Sequence, residues 1–152
     1  MKNVNKLFEK MYPEMKYMDC LQFKAVKKFN GRGGQPLLKG NLYLGSKLIA
    51  EVSEDFCGGC LNIRAVENDS LKKVVNFVGK GDGEEYRYYL SCVLEMFSML
   101  VDARKYKKTK TYILNLKTDE LSAYRLPISD VRISNIIASE LKDGDVVLSS
   151  YI

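Results

Sequence analysis

Apolar positions along this chain recur with two periods, and the places where one period gives way to the other mark its elements. From Leu37 to Val66 the period is two. Leu38, Gly40, Leu42 and Leu44 share one face, with Lys39, Asn41 and Tyr43 on the other, the alternation of a half-buried strand. Gly45-Ser46 follows, with glycine first as a type II′ hairpin turn requires, and Lys47 to Ser53 returns. Gly58-Gly59 supplies a second reversal into Leu61 to Val66, so a three-strand antiparallel meander is predicted.

The flanks alternate between helical and strand patterns. Val4, Leu7, Phe8 and Met11 have the spacing of a short amphipathic helix over Asn3 to Tyr12, closed by Pro13. Leu21, Phe23 and Ala25 alternate with Gln22 and Lys24, predicting a strand between Met18 and Phe29, and Gly31 to Pro36 reads as a loop. Asp69-Ser70 is the expected cap of a helix through Val78, broken by Gly79 to Gly83. A long helix is expected from Glu84 to about Lys105, its stripe formed by Leu90, Val93, Leu94, Phe97, Leu100 and Val101. Strands are predicted at Thr111–Leu116 and Leu121–Leu126, then a helix capped by Ser129 and ended by Gly144, then a last strand over Val146–Ile152. That last strand could pair within the chain or with a second copy, which allows a homodimer. The expectation is one α+β domain over residues 1–152. It has an antiparallel sheet of five to six strands packed on one long and two or three shorter helices.

Composition removes more functions than it suggests. A chain of 152 residues with 46% hydrophobic content suits a soluble domain with its own core. The apolar runs are too short for a membrane helix, and the N-terminus lacks the apolar stretch of a signal peptide, so an intracellular location without membrane contact is expected. There is no histidine. That removes the usual general base, the Ser-His and Cys-His pairs and nearly all catalytic zinc sites, and no enzymatic activity or cofactor is expected.

Several motifs carry residue types suited to chemistry. Cys57-Gly-Gly-Cys60 sits on a turn between strands, the setting of a zinc knuckle, but two further ligands are needed and no second close pair exists. Cys20 and Cys92 fall in apolar segments and read as small core residues. Gly31-Arg-Gly-Gly34 could cradle a phosphate on backbone N–H groups with Arg32 as clamp, although it matches no nucleotide fingerprint. Arg104, Lys105, Lys107, Lys108 and Lys110 interleave with Tyr106 and Tyr112, a pattern suited to nucleic-acid backbone and base contacts. Tyr88 lies off the face that packs Tyr86, Tyr89 and Val93, and with Tyr106 it is a candidate protein-binding anchor. Two Glu-x-Lys tripeptides, at Glu14 and Glu140, lack the upstream acid or the strand that a nuclease site needs.

Phe23-Lys-Ala-Val26 with Phe29-Asn-Gly31, Leu42-Tyr-Leu44 with Gly45-Ser-Lys-Leu-Ile-Ala-Glu-Val52, and Gly58-Gly59 together resemble a group of small uncharacterised phage and prophage proteins. The resemblance covers residues 21–66 and rests mainly on hairpin chemistry. This chain departs from the pattern in placing Ser46 between the turn glycine and Lys47, and in flanking Gly58-Gly59 with cysteines. The resemblance implies a mobile-element protein acting in the cytoplasm of a bacterial host cell. There it would be an anti-defence, anti-CRISPR-like inhibitor that binds a host protein or ribonucleoprotein complex. It carries over no catalytic residue. The alternative is a nucleic-acid or nucleotide binder using the 104–110 segment and the 31–34 loop.

Overall fold

A computed structural model of the chain describes residues 3–57, 60–79 and 83–152. The elements in order are α1 Val4–Met11, β1 Leu21–Asn30, β2 Pro36–Leu44, β3 Lys47–Ser53, β4 Asn62–Ala65, α2 Asn68–Val78, α3 Gly83–Lys105, β5 Thr111–Asn115, β6 Glu120–Tyr124, α4 Val131–Glu140 and β7 Asp145–Val147, then a 3-10 turn over Leu148–Tyr151. The α+β class is as expected. The strands, however, are divided between two antiparallel sheets, β1-β2-β3-β4 and β6-β5-β7, instead of joining in one. The chain forms two compact units, Tyr12–Ser98 and Met1–Met11 with Met99–Ile152.

In the 12–98 unit the meander has the expected hairpin. Leu44 faces Lys47 across Gly45-Ser46, and Gly45 takes φ +64, the positive value that glycine adopts without a Cβ penalty. Phe23, Leu42, Ala50 and Val52 are buried on one face of the sheet, against Leu90, Val93, Leu94 and Phe97 of α3. The Phe23 and Phe97 rings meet edge-on at 6.4 Å. Gly40 leaves no room for a side chain between sheet and helix: a Cβ there would sit 3.2 Å from Phe23 and 3.3 Å from both Leu94 and Val26.

Three sequence expectations fail in this unit for local reasons. β1 bulges between Lys24 and Lys27, with Ala25 at φ 52, so Ala25 points outward where simple alternation would bury it. Cys20, expected in the core, is exposed at φ 64 just before β1. The cap of α2 is Glu67, two residues before Asp69, because its longer side chain reaches forward to accept from Ser70 N. The Gly58-Gly59 reversal lies outside the described residues.

Tyrosines tie the segment before β1 to α3. Tyr12 Oη donates to Glu95 Oε2 at 3.2 Å. Tyr89 Oη accepts from Met18 N at 2.9 Å and donates to the Lys16 carbonyl at 3.0 Å. Tyr86 is different: its hydroxyl is buried with no hydrogen-bond partner among the described residues, and burial pushes its pKa up to about 12. An unpaired buried hydroxyl costs about 1–3 kcal/mol. Tyr86→Phe, which removes it at nearly constant shape, is therefore expected to raise the unfolding free energy by about 1 kcal/mol. A fall in the thermal midpoint of that variant would show that the hydroxyl is satisfied in solution.

The second unit is built on β5, whose residues Thr111 to Leu114 are buried on both faces between β6 and β7. Thr111 Oγ1 donates to the Leu126 carbonyl at 2.8 Å. The expected C-terminal strand stops at Val147, paired with Ile113 of the same chain. Beyond it the Tyr112 N–H donates to Ser149 Oγ at 3.0 Å, so a side chain replaces the next ladder bond and the backbone turns into the 3-10 segment. α4 is capped by Asp130, which accepts from Arg132 N at 2.8 Å, and not by Ser129.

Candidate functional site

The outward side of the first turns of α3 carries a developed surface in the 12–98 unit. Tyr88 is 57% exposed, an uncommon placing for so large a ring. Hollows open on either side of it. One, about 540 Å³, is bordered by Glu14, Met15 and Lys16 from the segment that Tyr12 and Tyr89 hold down, by Phe77 and Val78 at the end of α2, and by Glu85. Phe77 is itself 43% exposed, and its ring lies 6.4 Å from that of Tyr89. The other hollow, about 490 Å³, is bordered by Leu37, Glu54, Cys60, Leu61 and Glu84, with Arg87 across it. Arg87 Nη1 donates to the Leu61 carbonyl, which anchors the chain entering β4 to the helix. Glu54 Oε2 accepts from Leu38 N at 2.9 Å and closes the β2 side.

Tyr88 is thus a ridge between two depressions whose rims are mainly acidic: Glu14, Glu54, Asp55, Glu84 and Glu85 against Lys16 and Arg87. Beneath it, Cys92 lies within hydrogen-bonding reach of Tyr88 and Tyr12, and burial pushes the thiol pKa up. A buried thiol with a raised pKa is a packing group and a poor nucleophile. Phe77 was not singled out from the sequence. Its signal is its position off the Leu71, Val74, Val75, Val78 stripe of α2, where a large ring has no core to enter.

The other sequence candidates fall as follows. Cys57 and Cys60 are both exposed, and among the described residues no set of three or more Cys, Asp or Glu is placed to hold a metal ion. In the loop after β1, the N–H groups of Gly31, Arg32 and Gly34 donate to the carbonyls of Gln35, Phe56 and Gly31, so three donors of the anticipated phosphate cradle are used within the chain. Arg32 belongs to the 12–98 unit, whereas Arg104, Lys105, Lys107, Lys108 and Lys110 belong to the other. Arg104 and Lys105 end α3, and Lys107 and Lys108 border a hollow of about 390 Å³ with Pro127, Ile128 and Ser149. The Tyr106 ring is half-buried and flanked by its own neighbours, Lys105 Nζ at 5.1 Å and Lys110 Nζ at 4.6 Å from its centroid.

Comparison with family models, curated proteins and solved structures finds no match to this chain. Among the described residues no helix is long and apolar enough to cross a membrane.

Proposed function

We propose that this is a non-enzymatic protein-binding module, and that the Tyr88 ridge is its docking face. The observation that carries the reading is a large aromatic side chain standing 57% exposed between two hollows on a rigid helix. Tyrosine is favoured as an interface anchor because it offers a large contact area with few rotatable bonds and a polar tip. The acidic rim selects the partner's chemistry: an apolar side chain for each hollow, with Lys or Arg around it. The lack of histidine supports a role in binding over catalysis. On the resemblance of residues 21–66 to phage and prophage proteins, the partner is a protein or ribonucleoprotein of bacterial defence, and binding inhibits it.

A reading based on nucleic-acid contact through residues 104–110 draws on the exposure of Lys107 and Lys108. Salt separates the two. Contact with single-stranded phosphate backbone loses affinity with a log–log slope of roughly −0.7 per phosphate neutralised. Docking through Tyr88 is expected to change by less than about tenfold between 0.1 and 0.5 M salt, because rim charges act mainly on association rate. It is also expected to survive nuclease treatment of the lysate. Loss of every captured protein with nuclease, or with Lys107→Glu/Lys108→Glu, contradicts the Tyr88 reading.

A further inference from the structure

The outward face of the four-stranded sheet presents two cross-strand rows. Register places Lys24, Asn41, Glu51 and Arg64 side by side in one, and Lys27, Lys39, Ser53 and Asn62 in the next. The bulge in β1 is what brings Lys24 and Lys27, three residues apart, to the same face. Between β2, β3 and β4 a hollow of about 690 Å³ lies along Lys39, Asn41, Glu51, Ser53, Asn62 and Arg64.

The charges in these rows are unbalanced. Glu51 is the single carboxylate, and Arg64 holds it at 2.5 Å. Lys27 stands directly opposite Lys39, and the rest of that row is a hydroxyl and a carboxamide. Like charges directly opposite each other on adjacent strands are destabilising. Among the described residues neither lysine forms an ion pair. Lys39 Nζ rests 5.6 Å from the Phe29 centroid, and in the neighbouring row Lys24 Nζ lies 4.5 Å from that of Tyr43. Lysines on an edge strand such as β1 are common protection against edge-to-edge pairing. That explanation does not extend to Lys39, which lies on the inner strand β2 and faces Lys27 without a neutralising partner.

We infer that this sheet face is a second binding surface, and that it takes single-stranded nucleic acid. The lysine pair, Ser53 and Asn62 provide donors for phosphate oxygens, and an anion there relieves the Lys27–Lys39 repulsion. Tyr43 and Phe29 lie six positions apart along the paired strands, about 20 Å, and offer ring faces on which bases stack once the ammonium groups move to phosphate. Rings interleaved with cations on an open sheet suit a flexible strand with exposed bases. A duplex keeps its bases stacked, and an acidic polypeptide has no use for the rings.

The test is fluorescence anisotropy with a labelled fifteen-nucleotide oligothymidine and the corresponding oligouridine, at 50 and 200 mM salt, on the full chain. Binding is expected with a slope of about −2, three phosphates being engaged. Lys27→Glu is the informative variant. It turns the like-charge pair into an ion pair, so its thermal midpoint is expected to hold or rise while affinity drops at least about tenfold. Tyr43→Ala is expected to weaken binding roughly tenfold through lost stacking. Lys107→Glu/Lys108→Glu should leave binding in place. The inference is overturned if the chain does not bind at 50 mM salt, or if affinity follows Lys107 and Lys108 and ignores Lys27. It is overturned equally if polyglutamate competes as well as the oligonucleotide does.

Discussion

Leu94→Ala is expected to lower the unfolding free energy by about 2–5 kcal/mol, because the side chain is fully buried at the point where α3 meets the sheet. The sharper form of the prediction concerns its neighbour. In the native protein a Cβ on Gly40 would sit 3.2 Å from Phe23 and 3.3 Å from both Leu94 and Val26, so Gly40→Ala alone is expected to crowd the seam and destabilise. On the Leu94→Ala background one of those three neighbours has been cut back, and the added methyl group enters the space it leaves. The double variant is therefore expected to be more stable than the sum of the single effects by about 0.5–3 kcal/mol, the range for residues in direct contact. Urea unfolding of all four proteins measures the cycle. Strict additivity would mean that the helix does not rest on Gly40.

That seam also shows what was legible in the chain. The meander could be read because alternation and a glycine-first turn are local signals, and the long helix because its stripe repeats over several turns. The bulge at Ala25, by contrast, is fixed by how β1 must bend to pair with β2, and nothing within Phe23–Phe29 announces it. The division into two sheets has the same origin. Thr111–Asn115 carries the pattern of a buried strand, but whether it joins β4 or forms its own sheet depends on partners far away in sequence. Cap positions differ by one to three residues from Asp69-Ser70 and Ser129, because the carboxylates of Glu67 and Asp130 are the groups that reach the helix N–H groups. At the site, Tyr88 was visible as an aromatic off the packed face of α3. Its two hollows were not, since they require the 12–20 segment, the end of α2 and the chain entering β4 to converge. The opposed lysines of the sheet face likewise exist only once the register is known.

The largest functional effect is expected at Tyr88. An anchor of this kind is worth at least about 2 kcal/mol when truncated in an interface, roughly thirtyfold in affinity. Tyr88→Asp adds a carboxylate to a rim that already carries five acidic residues, so it also repels the basic partner that the surface favours. The fold should tolerate the change, because the side chain is more exposed than buried. Tyr88→Phe keeps the ring, loses the polar tip and is expected to retain most of the binding.

The decisive measurement is quantitative capture from a nuclease-treated bacterial lysate by the native chain, Tyr88→Phe and Tyr88→Asp, read by mass spectrometry alongside the thermal midpoint of each protein. The expected result is a stoichiometric basic protein held by the native chain and by Tyr88→Phe, and lost with Tyr88→Asp at an unchanged midpoint. Equal recovery of that protein by a folded Tyr88→Asp, or capture of nothing by the native chain, would contradict the assignment of Tyr88 as the docking ridge.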